Sequence, residues 1–130
     1  MSLREKLRVM VVDDMSTSRG LITQALDAMG IQNIATAADG KSALAALQQS
    51  PVHLVISDYN MPEMDGLHLL HYLRSAPATQ KTGFLLITGR ADPAIINKGK
   101  QLGMNNYLPK PFRIEESGRI VERASPTGRL

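Results

Sequence analysis

Short apolar runs alternate with amphipathic segments along the chain, and this alternation limits the fold more than any other feature. Three runs rich in β-branched residues cover residues 7–14, 52–58 and 83–89, and two weaker runs cover residues 33–39 and 105–110. Strands that are hydrophobic throughout are typical of a parallel sheet that is buried on both faces. The sequence therefore predicts five parallel strands.

The segments between these runs repeat apolar residues at the spacing of an amphipathic helix. Helices are expected at residues 15–29, 41–49, 66–75, 92–103 and 114–124. The apolar face of the first helix is expected to comprise Leu21, Ile22, Ala25, Leu26 and Met29. Strict alternation of strands and helices indicates an α/β fold, a doubly wound (βα)5 three-layer sandwich with right-handed crossovers.

The composition excludes several classes of protein. A chain of 130 residues suits one domain, and without cysteine it can form neither a disulfide framework nor a thiolate metal site. Its apolar runs are shorter than the roughly 18 residues that a membrane span needs. The first residues lack the apolar segment of a secretory signal. Aromatic residues make up only 4% of the chain, too few for a surface that stacks nucleic-acid bases.

These features predict a cytoplasmic protein that binds neither nucleic acid nor membrane. The net charge is only +3, which fits a solvated surface with a mild positive excess. We expect a monomer with one domain at residues 1–130 and flexible ends at residues 1–6 and 125–130.

Polar side chains follow four of the five predicted strands. Asp13 and Asp14 follow the first strand, Asp58 ends the third, Thr88 ends the fourth and Lys110 follows the fifth. Parallel strands bring such ends to one edge of the sheet, where ligands bind. Each aspartate alone could cap the next helix. Together, two carboxylates about 4 Å apart oppose each other by roughly 4 kcal/mol, so Lys110 or a divalent cation must offset the charge.

The residue types at this edge favour phosphoryl transfer. Oxygen ligands without cysteine suit Mg²⁺, which commonly shares the phosphate oxygens of a substrate. Lys110 can bind a phosphate as a point charge, and the Thr88 hydroxyl can donate a hydrogen bond to a phosphoryl oxygen. Asp58 would attack phosphorus and form an aspartyl phosphate. The sequence therefore predicts Asp58, Lys110 and Thr88 as the catalytic residues.

The chain resembles the receiver domains of two-component response regulators, and among them the stand-alone CheY-like chemotaxis regulators. The resemblance to receiver domains rests on four motifs that occur in the order VVDD, SDYNMPEMDG, LLITG and YLPKPF, and the resemblance to the CheY-like regulators rests on the stretch DDMSTSR. It implies a flavodoxin-like sheet with strand order 2-1-3-4-5. It also implies that Asp58 is the phosphoacceptor and that Mg²⁺ is held by Asp13, Asp14, Asp58 and the backbone carbonyl of Asn60. In the family, the acid matching Asp13 acts through water and the acid matching Asp14 binds the metal directly.

The resemblance also implies a switch rather than an enzyme with a separate substrate. The protein would only assist its own phosphorylation and dephosphorylation. Thr88 matches the switch hydroxyl, and Tyr107 matches an aromatic residue that turns inward on phosphorylation. Pro111 matches a proline after a cis bond, which would fix the direction of Lys110.

The implied partners are a histidine kinase, as phosphodonor, and a flagellar motor switch protein or another downstream protein. An alternative is a phosphate sink or phosphorelay intermediate without a motor target. An aspartate-nucleophile phosphatase is disfavoured because its DxDxT motif is missing at Asp58. A flavin-binding domain of the same topology is disfavoured because two acids follow the first strand. His68 and His71 share a helix face but have no evident third metal ligand, so a solvated face is favoured there.

Overall fold

The structure is a computed structural model that describes residues 6–89 and 92–110. The strands in this part of the chain are β1 (Arg8–Val12), β2 (Asn33–Ala37), β3 (Leu54–Asp58), β4 (Gly83–Thr88) and β5 (Asn106–Pro109). The helices are α1 (Ser16–Ala28), α2 (Gly40–Gln49), α3 (Gly66–Ser75) and α4 (Pro93–Gln101). The predicted alternation is confirmed for these elements. Some predictions lie outside the described residues: the helix at residues 114–124, Pro111, the end at 125–130, and residues 1–5 of the end predicted at 1–6.

All strand pairs are parallel, and the order is β2-β1-β3-β4-β5, as the family resemblance implied. The register aligns the ends of the inner strands. Asp58 lies opposite Ile87, and Thr88 lies opposite Pro109. The predicted polar residues of β3, β4 and β5 therefore reach the same edge of the sheet.

Two apolar layers cover the two faces of the sheet. One contains the β1 residues Val9 and Val11 and packs against α1. The other contains Met10 and Val12 and includes apolar residues of α2 and α3. Successive side chains of a strand point to opposite faces, which explains this division. All five residues of β3 are buried, so the strand that ends at Asp58 is held by both layers.

The described helices begin and end within two residues of their predicted bounds. The side chains of Asp39, Asp65 and Asp92 accept backbone N–H groups at the starts of α2, α3 and α4. The hydrogen bond from the Ser42 N–H group lowers the pKa of Asp39. Gly30 adopts a left-handed φ of 85° just after α1, the backbone conformation that stops a helix.

One prediction for the core was wrong. Leu21 is 59% exposed, although it was expected on the apolar face of α1. The buried residues of α1 are Ile22, Ala25 and Leu26, and Met29 packs partly against the same layer. The buried stripe is therefore narrower than the apolar pattern of the sequence. Within the described residues, no helix is both long and apolar enough to cross a bilayer.

Candidate functional site

Asp58 is fixed at the carboxyl edge of the sheet. It is the last residue of β3 and is only 5% exposed. The next residue, Tyr59, donates its N–H group to the carbonyl oxygen of Ile87, 2.8 Å away. The Ser57 hydroxyl donates to the carbonyl oxygen of Asp58 at 2.9 Å. Backbone pairing on the β4 side therefore continues past Asp58, which fixes the backbone that carries the carboxylate.

Lys110 reaches Asp58 from the end of β5. Its backbone N–H group donates to the carbonyl oxygen of Thr88 at 2.9 Å, which extends the pairing of β4 and β5 by one residue. Its Nζ atom lies 3.1 Å from Oδ1 of Asp58. The ion pair joins two residues that are far apart in the sequence, and the partly buried setting screens it less than a surface pair.

Asp13, Asp14 and Asp58 form an acidic cluster. An oxygen atom from each lies within 4.8 Å of the other two, and Asp13 and Asp58 are buried whereas Asp14 is exposed. At that separation two unit charges oppose each other by about 3.5 kcal/mol at an effective dielectric constant of about 20. The three acids therefore favour the binding of a cation. Among the described residues, this is the group of acidic and histidine side chains that meets the geometry of a metal site.

The two carboxylate oxygens of Asp13 have different surroundings. Oδ1 accepts the backbone N–H group of Met15 at 3.0 Å. Oδ2 is buried and has no hydrogen-bond partner in the described part of the chain. A buried acceptor left without a partner costs about 1–3 kcal/mol, and more when it is charged. A hard cation bound by the cluster would remove this cost, so the residues fit Mg²⁺.

The alternative role of Asp13 as a helix cap is not observed. Met15 occupies the N-cap position of α1 and makes no capping hydrogen bond through its side chain. Asp13 instead binds the Met15 N–H group, which lies before the first helical residue. Its carboxylate therefore belongs to the acidic cluster and accepts a hydrogen bond from the turn after β1.

Burial raises the pKa of Asp58. The desolvation of its carboxylate is the largest cause, and the negative charge of Asp13 acts in the same direction. The hydrogen bond and positive charge of Lys110 lower the pKa but do not reverse the shift. The ionised form of Asp58 is therefore destabilised in the folded protein, and a cation bound beside it would offset this cost.

Thr88 and Asn60 line a cleft next to the cluster. The cleft has a volume of about 680 Å³, and its lining residues are Tyr59, Asn60, Thr88, Gly89, Asp92 and Ile95. Thr88 is buried at the end of β4, and Asn60 is exposed in the loop after β3. A small anionic group could therefore enter between the two loops toward Asp58.

The remaining predicted site residues are placed differently. Tyr107 lies within β5 and packs, half-buried, against the apolar layer that contains Phe84. Pro111 is outside the described residues. Nδ1 of His68 lies 3.7 Å from the half-buried Asp65 carboxylate, and the 65% exposure of the His68 side chain agrees with the solvated helix face expected there.

Arg19, the last residue of the stretch DDMSTSR, was assigned no role from the sequence. Its Nη1 atom donates to the backbone carbonyl oxygen of Asp13 at 2.8 Å. The signal was present in the sequence, because an arginine in the first turns of a helix opposes the helix dipole and needs a compensating partner. Only the tertiary position of α1 against β1 identifies that partner as the carbonyl of a cluster residue.

Residues 9–122 match the family model described as the response regulator receiver domain. The chain is a response regulator receiver domain. A "Probable chemotaxis protein CheY" from Rhizobium etli is 43% identical over 122 residues, which are 94% of this chain and 95% of that protein. The chemotaxis protein CheY-3 of Vibrio cholerae is 34% identical over 125 residues, covering 93% of this chain and 96% of that protein.

Solved structures of receiver domains share the fold. Chemotaxis protein CheY4 of Vibrio cholerae superposes with a TM-score of 0.85 at 32% identity, covering 91% of this chain and 98% of that one. The receiver domain of a sensor histidine kinase from Pseudomonas aeruginosa has a TM-score of 0.82 at 24% identity, covering 91% and 96% of the two chains. That protein was solved with a magnesium ion in its active site cleft. The present receiver domain is thus a two-component response regulator, a signalling switch homologous to CheY chemotaxis regulators.

The raised pKa of Asp58 predicts how stability depends on pH. Without divalent cations, the folded state holds the Asp58 proton more tightly than the unfolded state does. The contribution of Asp58 to the free energy of unfolding is therefore most favourable below its ordinary pKa of 3.8 and is lost as pH rises through the raised value. As pH rises over this range, we expect the free energy of unfolding of Asp58→Asn to increase relative to that of the wild type.

Urea unfolding at a series of pH values and constant ionic strength measures this effect. Asp39→Asn is the matched control, because asparagine also caps helices and the pKa of Asp39 is shifted in the opposite direction. Equal pH dependence in Asp58→Asn and the wild type would contradict the prediction.

Proposed function

We propose that a histidine kinase phosphorylates this receiver domain on Asp58 in a reaction that requires Mg²⁺. The observation that carries the proposal is the contact of 3.1 Å between Asp58 and Lys110 beside two further carboxylates. A nucleophile, a cation for the phosphoryl group and a set of metal ligands are thus close together. Phosphoryl transfer requires mainly such positioning and charge stabilisation.

Asp58, Lys110 and Thr88 have separate roles in the transfer step. A carboxylate oxygen of Asp58 forms the new bond to phosphorus while the bond from phosphorus to the donor nitrogen breaks, and the electron pair of that bond leaves with the donor. Lys110 loses part of its ion pair with Asp58 and is free to bind the phosphoryl oxygens. Thr88 supplies a hydroxyl at the adjacent strand end. In this way the protein assists its own phosphorylation and dephosphorylation.

The proposed ligands of Mg²⁺ are Asp14, Asp58 and the backbone carbonyl of Asn60, with Asp13 acting through water. When bound, the ion supplies positive charge that offsets the carboxylates and the phosphoryl oxygens. The Oδ2 atom of Asp13, which has no hydrogen-bond partner among the described residues, supports this assignment, since a water held by the metal would give it a donor.

Phosphorylation would shift the protein between two conformations. Thr88 and the loop after it would move toward the phosphoryl oxygens, and Tyr107 would fill the space that they leave. The bond before Pro111 would fix the direction of Lys110 throughout, as the family resemblance implies. The size of such a shift is limited by how differently the phosphoryl group contacts the two states.

The output that we propose is chemotaxis. A phosphorylated, monomeric, single-domain protein in the cytoplasm would bind a flagellar motor switch protein or another downstream protein. The names of the relatives support this reading, since they are chemotaxis proteins. A phosphate sink or phosphorelay intermediate remains the second candidate, and it differs in that phosphorylation would create no affinity for a motor component.

Incubation with acetyl phosphate tests the phosphorylation directly. With Mg²⁺ present, we expect intact-protein mass spectrometry to find one added phosphoryl group per chain. The same incubation with excess EDTA should leave the mass unchanged, because Lys110 alone would then have to offset the charges of three carboxylates and of the phosphoryl group. A mass that stays unchanged with Mg²⁺ would sink the proposal.

A further inference from the structure

Arg19 contacts the acidic cluster through the backbone and not through a carboxylate. Its Nη1 atom donates to the carbonyl oxygen of Asp13 at 2.8 Å, and the side chain is half-buried. Arg19 is also the residue whose N–H group makes the first helical hydrogen bond of α1, to the carbonyl oxygen of Met15 at 2.9 Å. One residue therefore links the start of α1 to the end of β1.

The position of Arg19 is unfavourable for helix stability alone. It is the fourth residue of α1, and the N-terminal end of a helix carries partial positive charge that disfavours a cation. The first turn of α1 contains no acidic residue that could offset this charge. The hydrogen bond from Arg19 to the carbonyl oxygen of Asp13 is a favourable interaction that offsets this cost.

The contacted carbonyl belongs to the peptide group that joins Asp13 to Asp14. A peptide group is planar. A hydrogen bond to its carbonyl oxygen therefore restrains the orientation of the backbone that carries the side chains of both acids. The pairing of β1 with β3 ends at Val12, so the strand ladder on that side does not hold this group. On the other side, the Asp13 N–H group donates to the carbonyl oxygen of Ala37 at 3.1 Å.

These contacts use three polar atoms of Asp13 and leave its Oδ2 atom. The Asp13 N–H group donates to the Ala37 carbonyl oxygen. The Asp13 carbonyl oxygen accepts from Arg19, and Oδ1 accepts the Met15 N–H group. Oδ2 is the polar atom of Asp13 that remains buried without a partner in the described residues. With Asp13 fixed at three atoms, Oδ2 keeps a constant direction.

We propose that Arg19 is a positioning residue that orients Asp13 and Asp14 for Mg²⁺ and so strengthens the binding of the metal. The inference rests on the proposed function, because it assumes that the cluster binds Mg²⁺. The proposal also predicts that Arg19 raises the affinity for Mg²⁺, whereas a purely electrostatic role would lower it. The charge of Arg19 repels a cation, whereas its contact with Asp13 prepares the site for one.

The test is calorimetric titration with Mg²⁺ of the wild type, Arg19→Met and Arg19→Lys. Groups that orient a metal ligand typically contribute about 10–100-fold to affinity. We expect Arg19→Met to weaken the binding of Mg²⁺ by about tenfold. Arg19→Lys keeps the charge and one hydrogen-bond donor, so its affinity should lie between those of Arg19→Met and the wild type. Arg8→Met, which removes the same charge at the exposed start of β1, should bind Mg²⁺ as the wild type does.

A second measurement separates positioning from a general loss of structure. In EDTA, thermal unfolding of Arg19→Met should stay close to that of the wild type, because the variant also removes a cation from the N-terminal end of α1. At saturating Mg²⁺, Arg19→Met should again accept a phosphoryl group from acetyl phosphate. A weakened metal affinity together with these two results supports positioning.

The outcomes that overturn the inference are distinct from failure of the proposed function. If the wild type binds Mg²⁺ and Arg19→Met binds it equally or more tightly, the positioning role is wrong while the metal site stands. Weaker binding by Arg19→Lys than by Arg19→Met would show that charge repulsion dominates, and this also overturns the role. If the wild type fails to bind Mg²⁺, both the proposed metal site and the inference fail.

Discussion

Asp58→Asn is expected to accept no phosphoryl group from acetyl phosphate under conditions in which the wild type is fully modified. Asparagine has nearly the same shape, so the packing around β3 should persist. The amide cannot act as the anionic nucleophile, and it no longer forms an ion pair with Lys110. Intact-protein mass spectrometry after incubation with Mg²⁺ measures the result.

A control at the same edge of the sheet makes this result specific. Asp39 follows β2 and caps α2 through the N–H group of Ser42, outside the acidic cluster. Asp39→Asn keeps an effective cap and should be phosphorylated as the wild type is. Phosphorylation of Asp58→Asn to the same extent as the wild type would show that another residue is the acceptor. The assignment of Asp58 would then be wrong.

Gly66→Ala is expected to cause the largest loss of stability among the single substitutions considered. Gly66 is the first residue of α3, and it donates its N–H group to the carbonyl oxygen of Tyr59 at 2.9 Å. A Cβ atom there would lie 2.6 Å from the carbonyl oxygen of Asp58 and 2.8 Å from Cδ1 of Leu86. The nearer atom belongs to the backbone of a buried strand, so it cannot move away at low cost.

The expected size of this effect follows from the cost of overpacking. Inserting a methyl group into a packed interior typically costs about 1–3 kcal/mol, and a clash with backbone should reach the upper end. For a domain of this size, we expect the melting temperature to fall by roughly 10 °C. Because the displaced backbone carries Asp58, the rate of phosphorylation by acetyl phosphate should fall as well.

Gly20→Ala is the matched control for Gly66→Ala. Gly20 lies within α1, and a Cβ atom there meets no heavy atom within 4 Å in the described part of the chain. Alanine favours a helix over glycine by about 1 kcal/mol, so this variant should unfold at a higher temperature than the wild type. Equal stability of Gly66→Ala and the wild type would contradict the close packing of α3 on β3.

The local pattern of residues was enough to place the described helices and strands. Apolar runs predicted the buried strands, and Asp65, Asp92 and Pro93 marked the starts of α3 and α4 because capping acts over a few residues. The pattern could not give the order of the strands, which came from the family resemblance. It also placed Leu21 in the core, because periodicity reports which residues are apolar and not how wide a face the neighbouring sheet covers.

The order of residues along the chain was enough to identify the chemical groups at the strand ends and to predict Asp13, Asp14, Asp58 and Lys110 as parts of one site. The way in which these groups meet depends on the folded arrangement. The structure showed an Oδ2 atom of Asp13 that is buried and has no hydrogen-bond partner among the described residues, an ion pair of 3.1 Å between Lys110 and Asp58, and a hydrogen bond from Arg19 to the Asp13 carbonyl. Such contacts join segments that are remote along the chain. Their distances depend on strand register and helix packing, which local preferences do not encode.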